Sequence, residues 1–350
     1  DDAQLQALRE QAHAIRANSL GRQAELLEML ETKLIENGIQ VHWAESPDQA
    51  NAIIQGILDM ADARTVVKGK SMVSEETGLN DYLEQRGIEV IESDLGEYII
   101  QMAHEPPSHI VAPAIHKNRV EVAQLFHEHH PEEPYTEDID ALTGTARRVL
   151  RAKFAQADAG ISGVNFAVAE TGTLCLVENE GNGRLSTTAP RIHIAITGIE
   201  KVVEKLADVP PLLEILTKSA TGQPITTYFN MISRPRQPGE KDGPQQVHLV
   251  LLDNGRSRIR IDAELLDTLR CIRCGACMNH SPVYVHVGGH AYGTTYPGPI
   301  GIVLEPQRLG IGQVGSLTSA CSLCGACGEV CPVEIPLPRL INRLLSLIHI

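Results

Sequence analysis

The sequence predicts an α/β fold, a largely parallel sheet with flanking helices, followed by a small, mostly helical segment organised by cysteines. Three observations lead there. From residue 39 to about residue 252, short apolar strand-like runs alternate with helical patterns, the rhythm that builds parallel sheets covered by helices. Seven of the eight cysteines lie between Cys271 and Cys331, so ligand chemistry is confined to the C-terminal quarter. With 350 residues, 43% of them hydrophobic, the chain can bury a full core and is expected to divide into residues 1–261 and a smaller unit, residues 262–350.

Residues Ala3 to Glu36 carry apolar positions at helical spacing (Leu5, Leu8, Ala12, Ile15, then Leu26, Leu27, Leu30, Leu34), broken near Ser19-Leu20-Gly21, so two helices are predicted. Gly38 ends the second, Ile39 to Trp43 alternates as a strand, and Ser46-Pro47 opens the next helix. Thr65 to Val67 is a short buried strand, Leu79 to Gln85 a helix, Ile88 to Ile91 and His109 to Pro113 are strands, and Arg119 to His129 is a helix. His127, His129 and His130, followed by Pro131-Glu132-Glu133, read as a solvated helix end rather than a metal site. An exposed acidic connection follows, then a helix from about Ile139 to Gln156. Asn165 to Ala169 and Leu174 to Glu178 are strand-like, joined around Thr171-Gly172-Thr173, and Cys175 among them reads as a small buried hydrophobe. Strands near His193 to Thr197, Thr226 to Ile232 and Val247 to Leu252 are expected to finish the sheet, with a helix after Pro210-Pro211. Asp262 caps a short helix that delivers the chain to Cys271, and Pro336 to Leu345 makes the last helix. Ser346 to Ile350 reads as non-native sequence, similar to read-through of a sequencing-library adapter.

A net charge of -14 argues against a general nucleic-acid surface. No apolar run reaches the length needed to span a bilayer, and the start Asp1-Asp2 is no signal-peptide n-region. A cytoplasmic, reducing location is expected, where thiolates stay free for ligand chemistry.

Cys321, Cys324, Cys327 and Cys331, followed by Pro332, have the C-x2-C-x2-C-x3-C-P spacing that wraps thiolates around a cubane iron-sulfur cluster. Three cysteines at steps of three let one tight loop place three sulfurs on three corners, with Gly325 relieving crowding where backbone passes the cluster. Cys271, Cys274 and Cys277 repeat the frame and keep the proline as Pro282, but Ser281 stands at the fourth ligand position. By the crossed rule of two-cluster ferredoxins, Cys331 completes the set of Cys271, Cys274 and Cys277, and Ser281 falls to the set of Cys321, Cys324 and Cys327. A [4Fe-4S] cluster is therefore expected at the complete site, and a [4Fe-4S] or [3Fe-4S] cluster at the Ser281 site. Zinc is the competing reading, although zinc ribbons need neither the third cysteine nor the C-P ending. A disulfide framework is not needed by a chain of this size.

Two lookalikes fail their context. Gly310, Gly312 and Gly315 match G-x-G-x-x-G but lie between the cysteine runs, not between a strand and a helix. Gly69-Lys70-Ser71 follows a strand as a phosphate loop would, yet Arg64 occupies the position of the required earlier glycine. What survives is a place near a helix start where Lys70, Ser71 and backbone N–H groups could hold a small carboxylate or phosphate. The stretch with Glu170, Thr171 and Thr173 reads either as an anion-binding loop or as an ordinary hairpin.

The blocks KGKSMVSEETG, IESDLGEYIIQ, NFAVAETGTLCLVENEGN, LRCIRCGACMNHSPVY and YPGPIG together resemble the iron-sulfur subunit of the L-lactate utilisation system, the LutB/LldF type. The resemblance covers nearly the whole chain. It implies an N-terminal LUD domain, related to ribose-5-phosphate isomerase and CoA-transferase-like α/β folds, followed by a two-cluster ferredoxin-type segment. It also implies two partner subunits, a cysteine-rich subunit and a second LUD protein, that act together with it to oxidise L-lactate to pyruvate. In that family position 281 is normally cysteine, and the chain normally continues beyond position 350.

An electron-relay subunit is the function these features favour, because no flavin or nicotinamide fingerprint supplies a two-electron step. A self-contained LUD-domain enzyme acting on a small carboxylate or sugar phosphate, with structural clusters, is the alternative. A redox sensor built on the incomplete site is a third reading, lowered by the lack of a helix-turn-helix or basic recognition helix.

Overall fold

The computed structural model describes residues 2–348. Its strands, in chain order, are β1 (Gln40–Ala44), β2 (Thr65–Lys68), β3 (Glu89–Glu92), β4 (Ala159–Ser162), β5 (Phe166–Val168), β6 (Thr173–Glu178), β7 (Ile192–Gly198), β8 (Val202–Val203), β9 (Tyr228–Ile232) and β10 (Gln246–Leu252). Six make one sheet in the order β1-β10-β7-β4-β2-β3, with every neighbouring pair parallel. The other four make a mixed sheet, β8-β5-β6-β9, built on the antiparallel β5-β6 hairpin.

β7 and β10 complete the parallel sheet as expected, because both are buried along nearly their whole length, as strands covered on both faces must be. The run from Thr226 to Ile232 does not. Its strand β9 is only partly buried and pairs antiparallel with β6 in the second sheet. The expected strand at His109 to Pro113 is also absent, for a local reason. Nδ1 of His109 accepts the backbone N–H groups of Val111 and Ala112, both at 3.0 Å, which turns the chain and takes those donors from any ladder.

The helices follow their sequence signals. Ser46 Oγ caps the helix Pro47–Met60 by accepting from Gln49 N at 3.3 Å, and a capping box of Asn118 and Glu121 opens Arg119–His129. His127 and His129 are exposed at the end of that helix, but His130 is buried, its Nε2 2.8 Å from the Tyr98 hydroxyl, so the terminus is only partly solvated. The helix Gln23–Glu36 lays Leu26, Leu30 and Leu34 on the sheets. Its predecessor, Asp2–Gly21, turns the other way: Ala12 and Leu20 share one hydrophobic core with β5 and with the apolar residues between Leu265 and Leu344. The cysteine segment thus has no core separate from the α/β part.

The last helix, Leu337–Ile348, buries Leu337, Leu340, Ile341 and Leu344, and runs through Ser346–Ile348. His349 and Ile350, the end of the stretch read as non-native, lie outside the described residues. Among the described residues, no helix is long and apolar enough to cross a membrane.

Candidate functional site

Both cysteine runs adopt the same backbone. In each, the second residue after the first cysteine is left-handed without being glycine (Arg273 at φ +64, Leu323 at φ +56), and two residues later a left-handed glycine follows (Gly275, Gly325). One helical turn then carries the third cysteine. A non-glycine residue in this conformation costs about 1–2 kcal/mol, so the repetition marks a loop held to one shape. The shape curls the chain around the sulfurs. The N–H of Arg273 approaches Cys271 Sγ at 3.4 Å, that of Leu323 approaches Cys321 Sγ at 3.3 Å, and that of Ile335 approaches Cys331 Sγ at 3.3 Å.

Cys271, Cys274, Cys277 and Cys331 line one small cavity, walled by Ile110, Ile300 and Ile335 among others. Cys321, Cys324, Cys327 and Ser281 line another, with Pro282, Pro299 and Pro338. The chain therefore crosses over, each run sending its last residue to the other set. Among the described residues, no three cysteine sulfurs lie within 4.8 Å of one another. Thiolates on a single zinc ion, at about 2.3 Å from it, would stand roughly 3.8 Å apart, so these cages are wider than one ion requires. Ser281 Oγ accepts from Tyr284 N at 3.3 Å, capping the helix Pro282–Val287. Tyr292 is buried, and its hydroxyl pKa is pushed up by burial and then by Cys321 of one set and Cys277 of the other.

The surroundings of the first set are cationic. Buried Arg16 donates to the carbonyls of Val202 at 3.1 Å and Leu269 at 3.0 Å, Arg9 to that of Cys331 at 3.0 Å, and Lys201 Nζ to that of Cys271 at 3.3 Å. Arg273 lies over the Tyr296 ring, 4.3 Å from its centroid. Buried donors on Arg270 and Arg273 have no hydrogen-bond partner. Burial, then Arg273, pulls Lys201 down to about 7, a cost that an anion in the cysteine cage would offset. Burial also pushes the Cys331 and Cys327 thiols up to about 11, so iron is needed to hold them as thiolates at neutral pH. Four thiolates around a buried, cation-rimmed cavity fit a cubane with net negative charge.

The other predicted residues fall at two distant places. Ser71 caps the helix Met72–Thr77 through Ser74 N, so its hydroxyl is engaged in the fold. Lys70 Nζ is buried without a hydrogen-bond partner, and the charges around it are the carboxylates of Asp94, Glu97, Glu180 and Glu75. Nearby Lys68, which sequence reasoning passed over, is fully buried, with Nζ 2.7 Å from Glu92 and 3.2 Å from Glu75. Carboxylates outnumber lysines here, and burial, then other carboxylates, raises Glu97 well above its usual range. Such a pocket suits a ligand bringing hydroxyl or ammonium donors better than a further anion. Thr171 and Thr173 bond each other at 2.9 Å, and the turn packs on the end of Gln23–Glu36 through Asn37. Glu170 is exposed and accepts from Leu206 N. These three stand at the start of β6, whereas Glu178 and Glu180 are at its far end, roughly 16 Å away at about 3.3 Å per residue. The structure does not bring them to Lys70.

A family model described as "LUD domain" matches residues 27–252, and one described as "4Fe-4S dicluster domain" matches residues 267–335. Lactate utilization protein B of Bacillus velezensis is 47% identical over 334 residues, spanning 95% of this chain and 70% of its own. The chain belongs to this LUD-domain family. It is likewise 47% identical to YkgF of Escherichia coli K12, described as an uncharacterized electron transport protein, over 96% of this chain and 70% of that one. Among solved structures, a DUF162 family protein from Deinococcus radiodurans aligns at 16% identity over 66% of this chain and 98% of that one, with a TM-score of 0.37.

In this LUD-domain protein a cavity of about 730 Å³ opens beyond the carboxyl end of β3. Arg147 and Arg151 on the helix Ile139–Gln156, Asn179, Glu180, Asn182 and Tyr228 line it. Parallel sheets bind ligands where successive strands depart to opposite sides. β2 has β3 on one side and β4 on the other, which places that point beside Lys68 and Lys70. The sequence signal was an i, i+4 arginine pair on a helix, too common to single out.

Proposed function

We propose that this chain is the iron-sulfur electron-transfer subunit of an L-lactate-oxidising system, working with a cysteine-rich subunit and a second LUD protein in the cytoplasm. The observation that carries the reading is the pair of cysteine sets, one of four sulfurs with Arg9 and Lys201 bonded to the carbonyls of Cys331 and Cys271, the other of three sulfurs with Ser281. Bound there, the clusters would pass single electrons, as a [4Fe-4S] cluster at Cys271, Cys274, Cys277 and Cys331 and a [4Fe-4S] or [3Fe-4S] cluster at Cys321, Cys324, Cys327 and Ser281. The chain's own work is to fix the sulfurs, exclude water from the first set with Ile110, Ile300 and Ile335, and balance negative charge with Arg16, Lys201 and Arg273. In this reading residues 1–261 form the LUD unit and residues 262–350 the cluster unit.

Lactate gives up two electrons in one step whereas a cluster accepts them singly, so without a flavin or nicotinamide fingerprint in its sequence the chain alone should not turn over. Anaerobically purified protein, with iron and sulfide counted, is given L-lactate and an artificial dye. Pyruvate is expected only when both partner subunits are added. Rapid pyruvate formation by the chain alone would favour the second reading, which the 730 Å³ cavity supports: a self-contained LUD-domain enzyme on a small carboxylate or sugar phosphate.

A further inference from the structure

We propose that Glu105, His116 and His290 form a binding site for a divalent ion of the zinc class, tying the α/β part to the cysteine segment. One ligand atom from each residue lies within 4.8 Å of the other two, although 174 positions separate His116 from His290 (290 - 116). On zinc, nitrogen and oxygen ligands at about 2.0–2.1 Å stand roughly 3.4 Å apart, so seating the ion needs shifts of an ångström or so, in side chains that are 24% exposed at His116 and 32% at Glu105. Two imidazoles and a carboxylate are a recurrent donor set for such ions, with a further position left for water.

The partners outside the triad already hold it in the manner of a metal centre. Nε2 of His290 is 2.8 Å from the Pro106 carbonyl, to which it donates, and this fixes the tautomer with a lone pair on Nδ1. Glu105 uses Oε2 toward His116 at 2.6 Å and Oε1 toward Lys117 at 2.5 Å, so one carboxylate oxygen is anchored while the other faces the imidazole. The two rings lie with centroids 4.5 Å apart. The backbone beneath is fixed. The Tyr284 hydroxyl donates to Ser108 O at 2.8 Å, Gly289 N donates to Ser108 Oγ at 3.3 Å, and a Cβ at Gly289 would fall 1.7 Å from Ser108 O. The other candidate group, Glu75, Glu92 and Glu97, is different: the Lys68 ammonium already supplies its cation. Lys117 beside Glu105 weakens attraction for a dication, so the affinity expected is on the order of micromolar rather than that of a structural zinc finger.

The test is a Zn²⁺ titration of anaerobically purified, cluster-loaded chain, with zinc and iron counted after desalting, so that the cysteines are already occupied. One zinc per chain is expected with iron unchanged. His116→Ala and His290→Ala should each weaken binding by more than tenfold, the loss that even a ligand's supporting partners can cause. Gly289 and His290 sit in a tight contact, so His116→Ala, whose side chain is 24% exposed and outside that contact, carries the test by itself if His290→Ala also loses iron. In the wild type alone, zinc should slow hydrogen exchange in residues 104–117. No zinc uptake beyond displaced iron, or equal uptake by wild type and His116→Ala, would overturn the proposal.

Discussion

The two cysteine sets share a backbone and a core but differ in ligand count, in exposure and in the charges nearby. One has four sulfurs, with Cys274 and Cys331 buried, an apolar wall and buried cations close by. The other has three sulfurs and the Ser281 oxygen, with Cys324 exposed and prolines for walls. The loop geometry, with left-handed residues at matching places, is local and comes from the motif. Burial and charge are not local. They are delivered by Ile110, Arg9, Arg16 and Lys201, from segments far away in sequence, so a repeated motif yields two chemically unequal sites.

The largest expected effect separates the sets by their roles in the fold. Cys331→Ala removes a buried sulfur from the shared core and a ligand from the four-sulfur set, whereas Cys324→Ala removes an exposed one. The first should lose iron and roughly 2–4 kcal/mol of stability; the second should lose iron with little change in melting temperature. Equal destabilisation by both would show that burial does not distinguish the sets.

Ser281 sharpens the comparison by one iron. A serine oxygen is harder and far less acidic than a cysteine sulfur, so that corner should release its iron on exposure to air and leave a three-iron cluster. Electron paramagnetic resonance should show a three-iron signal that Ser281→Cys abolishes. If the signal survives Ser281→Cys, or disappears in a Cys271 variant instead, the crossed pairing of ligands is wrong.

How much of this was legible beforehand follows the same division between local and distant. The cysteine spacing, the cap at Ser46 and the βα alternation are local signals, and each appears where expected. β9 was assigned to the wrong sheet because pairing partners are chosen by tertiary fit, and only its half-burial betrays the choice. The strand expected at His109 failed because one imidazole captured two backbone donors, which no apolar pattern reveals. Arg16, Lys68 and Lys201 went unremarked because a buried cation looks in sequence like any exposed one.

Acid should treat the two sets alike, because they share one core. Fully buried His193 has its pKa pulled down to about 3 by burial and then by His248, and His248 itself falls to about 4 through burial and then His42. Both lie below the value of about 6.5 for an unfolded chain, so below pH 6.5 the unfolded state binds more protons. Their contribution is thus complete above about pH 6.5 and shrinks as pH falls, with His193 alone losing roughly 2 kcal/mol by pH 5. Urea unfolding under argon at pH 7 and pH 5, followed by iron release, should show a lower midpoint at pH 5 with both clusters lost in one step. Two separate steps at pH 5 would mean that the cysteine segment unfolds independently of the sheet.

The smallest expected effect concerns charge. Lys201 is buried and makes one hydrogen bond, to the Cys271 carbonyl, so Lys201→Met removes a cation from beside the four-sulfur set while leaving few groups unsatisfied. Arg16 is a poorer choice because it donates to several carbonyls that its loss would orphan. Reduction adds negative charge, which a nearby ammonium stabilises, so losing the ammonium should lower the midpoint potential of the cluster at Cys271, Cys274, Cys277 and Cys331. At an effective dielectric constant near 20 the shift should be on the order of 50 mV, reduced by whatever screening the neighbouring arginines supply. The cluster beside Ser281 should move much less, since Lys201 is bonded to the carbonyl of Cys271, a residue of the other set. A redox titration followed by electron paramagnetic resonance resolves the two, with Lys201→Arg as the charge-restoring control. Equal shifts at both clusters, or none in Lys201→Met, would mean that the cations near Cys271 serve the fold rather than the potential.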